Sequence, residues 1–488
     1  MKRGAALLAL LATACTTMEP NYVRPDAAIP ASWPVGDPYL AQAEVGLPVL
    51  TYQQVFQDPR LQTLIAQALT NNRDLMVAAS NIAASREQYR IQRAQQLPTV
   101  NAGTGVTARG DRDDTISANY DAGVSVPNFE IDLFGRVRSL TKVQLQRYLA
   151  TEAGARATRL SLVAAVASAW LDHAADSSLR LIAEQTSTSA QKSVNLTRIR
   201  LEGGIAPRTD LRQAEQIQAQ AQADLARQRT AVAQDVNALQ VLVGGPIDPL
   251  LLSASIDDAF GKIAPVPAGL DSTILLRRPD VLQAEYQLRA ANAQIGAARA
   301  ALFPRITLTG LLGFASTALT SLFSGGSFGW SAGGDATYTI FQGGAGRANV
   351  RLSQAQRNAA IATYQGAIQT AFREVADALA RRGTINDEIA ARQRQQMATA
   401  DTYVLTEARY RAGIDPFLTV LDAQRSLYSA QQAMVQTKLT AAQNIVTLYQ
   451  SIGGDVLLQQ TPVCQALPGE SSASSASSAK VASQCSPA

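Results

Sequence analysis

Apolar and polar positions along this chain follow two different periods, and the helical one dominates. Between Arg136 and Glu202 apolar residues recur every three or four positions, which is the spacing of a coiled-coil helix. This stretch contains no Pro and a single Gly. Its apolar positions include Leu160, Val163, Ala167, Trp170 and Ala174. A helix of this length spans on the order of 100 Å, and the Pro-free stretch Arg347–Ala412 predicts a second one.

Each long helix is predicted to end in a glycine turn and to be followed by a shorter return helix. Gly204 and Gly413 suit the left-handed conformation that ends a helix, and Pro207 and Pro416 suit the first turn of the next. The predicted return helices are Pro207–Val243 and Pro416–Ile452. The pattern therefore predicts two antiparallel helical hairpins.

Four shorter segments alternate apolar and polar residues, which is the period of a strand. They are Thr99–Ala108, Tyr120–Val126, Arg305–Phe314 and Phe328–Ile340. Amphipathic strands of about ten residues with aromatic residues near their ends are typical of transmembrane β-barrels. An ordinary half-exposed sheet alternates in the same way, but the export signal described below favours membrane strands.

The whole order of elements occurs twice. Leu201–Pro207 recurs as Tyr410–Pro416, an offset of 209 residues, and such a long period indicates two copies of one structural unit. An apolar stretch with helical spacing also predicts a helix over Pro59–Gln96. The predicted organisation is a signal peptide (1–14), a Pro-rich extended arm (15–57), repeat 1 (58–245), a linker (246–276), repeat 2 (277–454) and a Ser/Ala-rich tail (455–488).

Four strands are too few to close a barrel, and an open sheet in lipid leaves unsatisfied edges. Closure therefore requires copies of the chain, and either two copies with eight strands or three copies with twelve would satisfy the strand edges.

The N-terminus reads as an export signal. Lys2 and Arg3 precede an apolar core, and small residues precede Cys15, which resembles a bacterial lipobox and predicts lipidation of that cysteine. Plain cleavage is the alternative. Cys464 and Cys485 then remain in an oxidising compartment, where either one disulfide or two free thiols fits the sequence.

Composition argues against several function classes. The formal net charge of +4 comes without a basic patch, so no nucleic-acid partner is predicted. Gly261-Lys262 is followed by Ile263, which is not a phosphate loop. His173 is the single His and stands in no Cys/His/carboxylate cluster. We therefore expect no metal, no cofactor and no enzymatic activity.

Four motifs resemble the TolC/OprM outer-membrane factor family, in its efflux lipoprotein branch, and the resemblance covers residues 15–455. The motifs are Arg277–Val281 with Ala290–Gly296 and Phe303-Pro304, then Glu130–Arg136, Phe341–Gly344, and Arg409-Tyr410 with Leu421–Gln424. The chain departs from the family pattern at Phe129, where Trp is usual, and at Gln342, where Asp is commoner.

The resemblance implies an α+β membrane protein that forms a homotrimer. Four strands per chain would build a 12-stranded transmembrane β-barrel, continued by a long α-helical periplasmic barrel. It implies an outer-membrane exit duct for drugs or other small toxic molecules, lipid-anchored through Cys15 in the outer-membrane lipid. The implied partners are a periplasmic adaptor (membrane fusion protein) and an inner-membrane transporter of the resistance-nodulation-division class. A type I protein-secretion duct and a secreted helical adhesin are the alternatives.

The resemblance also assigns roles at the hairpin tips. Asp210 matches an acidic ring at the closed tunnel end, and Arg409, Tyr410 and Asp422 match residues that hold the tip helices together. A first-turn Asp and ordinary helix packing would explain the same residues without a gate. The expected adaptor contacts are Gly204, Ile205, Ala206, Gly413, Ile414 and Asp415, the last of which stands where some family members carry Arg. Turn chemistry alone would also explain these positions.

Overall fold

The computed structural model describes residues 17–27, 29–30, 32–34, 36, 39, 51–110, 116–266, 272–453, 455 and 458. The predicted signal peptide lies outside these residues, as do Cys15, Cys464 and Cys485. Lipidation and the disulfide therefore stay predictions.

The described residues form long helices interrupted by a small group of strands. The helices are α1 (Tyr52–Val55), α2 (Pro59–Asn71), α3 (Arg73–Ala94), α4 (Arg136–Glu202), α5 (Arg208–Val243), α6 (Ile256–Phe260), α7 (Pro279–Ala300), α8 (Ala345–Arg411) and α9 (Phe417–Ile452). The strands are β1 (Asn101–Gly110), β2 (Ile116–Ile131), β3 (Arg305–Ser316) and β4 (Phe328–Thr337). Short 3-10 turns lie at Pro249–Leu251, Ser272–Arg277 and Leu319–Ser321.

Equivalent helices of the two copies have equal lengths. Both long helices, α4 and α8, contain 67 residues, and both return helices, α5 and α9, contain 36. The helices that precede the strands, α3 and α7, contain 22 residues each. The predicted helical hairpins are thus confirmed.

The prediction of one helix over Pro59–Gln96 is wrong, because Asn72 separates α2 from α3. Asn72 Nδ2 donates a hydrogen bond to Leu242 O at 2.9 Å, and its Oδ1 accepts one from Leu75 N at 3.1 Å. One buried side chain therefore caps the start of α3 and also binds a carbonyl near the end of α5. The extended arm was likewise predicted through residue 57, where the structure has the short helix α1.

The four strands form one antiparallel sheet in the order β1-β2-β3-β4. The register aligns Ala102, Val124, Leu312 and Trp330 in one row across the sheet. Because neighbouring positions alternate between faces, Asp121, Thr307 and Asp335 lie on the opposite face. Trp330 is 73% exposed and Leu312 is 52% exposed. The sheet thus has one exposed apolar face and one polar face, as predicted.

All four strands differ in extent from their predictions. β1 begins and ends two residues later than predicted, β2 begins at Ile116 instead of Tyr120, and β3 ends at Ser316 instead of Phe314. β2 continues past Val126 to Ile131, because a bulge between Val126 and Phe129 accommodates Pro127, which has no N–H to donate to the sheet. β4 ends at Thr337 instead of Ile340, since Thr337 pairs with the first residue of β3.

The chain divides into two compact units. The first comprises the described parts of Met1–Ala27, Ser80–Ala153 and Leu282–Ala367, and it contains the sheet. The second comprises the described parts of Ala28–Ala79, Gly154–Val281 and Ile368–Ala488, and it contains both hairpin tips. Among the described helices, none is long and apolar enough to cross a membrane.

Candidate gate at the hairpin tips

Both hairpins turn through a left-handed glycine, as predicted. The φ angles are +69° at Gly204 and +78° at Gly413. Pro207 and Pro416 then occupy the N-cap positions of α5 and α9 in extended conformation. Each tip is therefore a tight helix–turn–helix built from local sequence.

Arg200, in the last turn of α4, ties the first hairpin to the second. Its Nη1 donates a hydrogen bond to Tyr410 O at 2.7 Å, and its guanidinium carbon lies 4.5 Å from the centre of the Tyr410 ring. The Phe417 ring packs 5.2 Å from the same ring. The buried cluster here comprises Val194, Ala214, Tyr410, Phe417, Val420 and Leu421. One cation thus contributes a hydrogen bond and a cation–π contact between the two tips.

Arg409 instead pairs within its own hairpin. Its Nε lies 2.7 Å from Asp415 Oδ2 and its Nη2 lies 3.0 Å from Asp415 Oδ1. Hydrogen bonds from Arg409 lower the pKa of the Asp415 carboxyl. The Arg409 side chain is 54% exposed, so this bidentate pair orders the turn more than it stabilises the fold.

The internal duplication explains why the two arginines behave differently. Arg200 and Arg409 are equivalent under the offset of 209 residues. Asp415 supplies a carboxylate to Arg409, whereas Ala206 at the equivalent place supplies none to Arg200. Arg200 therefore reaches across to Tyr410. Sequence reasoning missed Arg200, although aligning the two copies would have revealed it.

Within the chain, the structure does not bring Asp422 to Tyr410 or Arg409. The Asp422 side chain is 65% exposed and lies 3.8 Å from Arg425. Tyr410 Oη is buried and has no hydrogen-bond partner in the described part of the chain. Burial raises the pKa of this hydroxyl, against the lowering effect of the Arg200 charge. The predicted tether role of these residues stays a prediction.

Asp210 lies in the first turn of α5 and is half-buried. Burial raises the pKa of its carboxyl, and the positive charge of Arg200 partly offsets that rise. The placement fits both the predicted acidic ring and a favourable interaction with the helix dipole.

The predicted adaptor contacts lie at the surface of the tips. Ile205 is 71% exposed and Ile414 is 62% exposed. Two exposed isoleucines on adjacent turns give an apolar surface that a helical partner could bind.

We also searched the other described residues for metal-ligating and titratable side chains. No group of three or more His, Cys, Asp or Glu side chains there is arranged to hold a metal ion. His173 is 6% exposed on α4, and burial lowers its pKa, so it is a packed helix residue.

Comparison with known proteins identifies the family to which this chain is similar. The profile described as outer membrane efflux protein matches residues 64–245 and 270–454. The antibiotic efflux pump outer membrane protein ArpC of Pseudomonas putida is 43% identical over 458 residues, 92% of this chain and 94% of ArpC. The toluene efflux pump outer membrane protein TtgC of Pseudomonas putida is 42% identical with the same coverage. The open state of the Neisseria gonorrhoeae MtrE outer membrane channel matches 90% of this chain and 98% of its own, at 35% identity and a TM-score of 0.82.

Proposed function

The chain belongs to the outer membrane efflux protein family, and on that premise we propose that it is the outer-membrane exit duct of a tripartite efflux system. One observation carries the proposal. A four-stranded sheet with an exposed apolar face is combined in one chain with two helical hairpins of equal length. The sheet suits lipid, and the hairpins suit the wall of a tunnel.

Three chains complete the barrel. Strands β1 and β4 are the edges of the sheet, and a sheet edge cannot stay open in lipid. Three sheets of four strands close a barrel of 12, with the apolar face outward and the polar face lining the lumen. The six hairpins of three duplicated chains form the periplasmic tunnel.

The duct is passive, and its partners supply energy and selectivity. A periplasmic adaptor contacts the exposed tips around Ile205 and Ile414, and an inner-membrane transporter of the resistance-nodulation-division class delivers the cargo. Relatives are named for antibiotic and for toluene efflux, which supports drugs and other small toxic molecules as cargo.

The tips form the gate. Asp210 of each chain contributes to an acidic ring, and Arg200 holds the two hairpins of a chain together. Tyr410 Oη is buried within its own chain, so Tyr410 takes part in the gate through the contacts of its ring and its carbonyl with Arg200. Asp422 is exposed, and it contributes a contact with a neighbouring chain.

Cys15 anchors the duct in the outer membrane through a lipid. Thr17, two positions later, packs against Gly135 in the same compact unit, just after β2 ends. Labelling cells with radioactive fatty acid should mark the wild-type protein and leave Cys15→Ala unmarked. Label retained on Cys15→Ala would refute the anchor.

The duct itself is tested in cells. Deleting the gene in its own host should raise sensitivity to toluene and antibiotics, and the wild-type gene should restore tolerance. Detergent should extract the protein from the outer membrane as a trimer. Unchanged tolerance together with a lost secreted protein would favour the type I secretion duct. A soluble secreted rod would favour the adhesin.

A further inference from the structure

The two edge strands of the sheet, β1 and β4, have equal lengths but are displaced along the strand direction. Each contains 10 residues. Across the paired strands, one row contains Asn101, Ser125, Leu311 and Ser331. Asn101 is the first residue of β1, whereas Ser331 comes six positions before Thr337, the last residue of β4. A second copy of β1, displaced by those six positions, would therefore cover the free edge of β4 from end to end.

The alternation of the two faces restricts the displacement to an even number. Consecutive side chains of a strand lie on opposite faces, so an odd displacement would place the apolar face of one chain beside the polar face of the next. A displacement of six places Asn101 opposite Thr337, which lies on the same polar face as Asp335. On the apolar face it places Ala108 beside Trp330, a small side chain next to a large one.

The tilt of barrel strands leaves two even displacements open. Neighbouring strands lie about 4.8 Å apart and each residue advances about 3.4 Å. For four strands per chain, a displacement of four residues gives a tilt of about 35° and one of six gives about 45°, which are the limits observed in barrels. A displacement of four would leave two residues of β1 and two of β4 unpaired, whereas six pairs every residue of both strands.

The sequence pattern of both strands continues at the ends that would meet. Alternation predicts two more residues before the start of β1 and three more after the end of β4 than one chain pairs. With a displacement of six, Val100 lies opposite Tyr338 of the next chain, and these residues are 64% and 57% exposed in one chain. Pro98 has no N–H to donate, so the pairing would end there.

We propose that β4 of one chain pairs with β1 of a second copy in this register, with Thr337 opposite Asn101 and Phe328 opposite Gly110. The pairing continues to Tyr338 opposite Val100, beyond the ends that the strands have in one chain. The inference rests on the proposed duct, because closure of the barrel in lipid is what brings the two edges together. The displacement per chain sets the register, so it does not depend on how many copies close the barrel.

Paired cysteines test the register in outer membranes from cells that express the full-length chain, with Cys464 and Cys485 replaced by Ser. Thr107→Cys with Ser331→Cys places two thiols opposite each other, and Thr107→Cys with Gly329→Cys represents a displacement of four. Two strands separate β1 from β4 within a chain, a distance of roughly 14 Å. That distance is too long for a disulfide, so any bond joins two chains. After oxidation, the first pair should give at least fivefold more covalent multimer on a non-reducing gel than the second pair or Thr107→Cys alone.

A third pair tests the continuation of the strands. Val100→Cys with Tyr338→Cys should give at least fivefold more covalent multimer than Val100→Cys alone, and an equal yield would overturn the continuation. Stronger cross-linking through Gly329→Cys, or none from either Thr107→Cys pair, would overturn the register. Native mass spectrometry of the wild-type protein separates the two proposals. A failed register in particles of three chains leaves the duct standing, whereas a monomer mass would refute the barrel and the register together.

Discussion

Arg200 contacts the other hairpin because no carboxylate lies beside it in its own turn. Its equivalent in the second repeat, Arg409, is held by Asp415 at 2.7 Å. Ala206 cannot hold Arg200 in that way, and the guanidinium instead lies over the Tyr410 ring of the other hairpin. A contact between two hairpins thus arises from a difference between otherwise similar copies.

Arg200→Ala should loosen the two tips of a chain relative to each other. The change removes a hydrogen bond and a cation–π contact, together about 1 to 3 kcal/mol. Spin labels on Ile205→Cys and Ile414→Cys, with Cys464 and Cys485 replaced by Ser, should show a broader distance distribution. Arg198→Ala, at an exposed position on the same helix, is the control and should not broaden it. A narrow distribution in both variants would contradict the role of Arg200.

Asp235 makes the stability of the second compact unit depend on pH. Burial, followed by the charges of Asp176 and Asp172, raises the pKa of Asp235 to about 6. The folded chain therefore binds a proton that the unfolded chain releases at lower pH, so stability falls as pH rises through about 6. Asp235→Asn should raise Tm by about 2 to 4 °C at pH 7.5 and change it little at pH 4. Equal Tm changes at both pH values would argue against this pKa, and Asp401→Asn, at an exposed position, serves as the control.

Residue roles were the least predictable part of the molecule. Asp210 and Tyr410 were identified from the resemblance, but partners cannot be read along a chain, because they depend on which helices become neighbours. The pairing of Arg409 with Asp415 was not foreseen, nor was the use of Tyr410 as a platform for Arg200.

At the scale of elements, the join between α2 and α5 depends on a glycine. Gly244 has φ +81°, and a Cβ there would lie 2.5 Å from Asn71 O. Gly244→Ala should therefore lower stability by about 1 to 3 kcal/mol. Gly245→Ala is the matched control, since a Cβ at that position meets nothing within 4 Å. Thermal unfolding of both variants checks this, and equal Tm values would contradict the close approach.

Element boundaries were predictable wherever local signals decide them. Gly204 and Pro207 fixed the tip of the first hairpin, because their conformations are intrinsic to the residues. The break at Asn72 was missed because it depends on a hydrogen bond from the Asn72 side chain to Leu242 O, and Leu242 is distant in sequence. The extension of β2 beyond Pro127 was missed because only a neighbouring strand reveals a bulge.

For the whole molecule, the number of chains in one barrel can be tested. One chain offers four strands with open edges at β1 and β4. Three chains close them, whereas two would form the eight-stranded barrel that sequence periodicity left open. Native mass spectrometry of protein released from detergent should give three chains per particle. A dimer mass would contradict the 12-stranded barrel.

We propose that the assembled chain is a duct with a gate at its hairpin tips, and its conductance across a planar lipid bilayer should therefore depend on the tip contacts. Purified wild-type trimers should conduct ions in small steps, because the proposed gate contacts would hold the tips closed. Arg200→Ala combined with Asp422→Ser should increase the mean conductance severalfold, since it removes the Arg200 contact between the two hairpins and the contact proposed between chains. Wild-type protein and this variant with the same conductance would contradict the gate, and no conductance from either would contradict the duct.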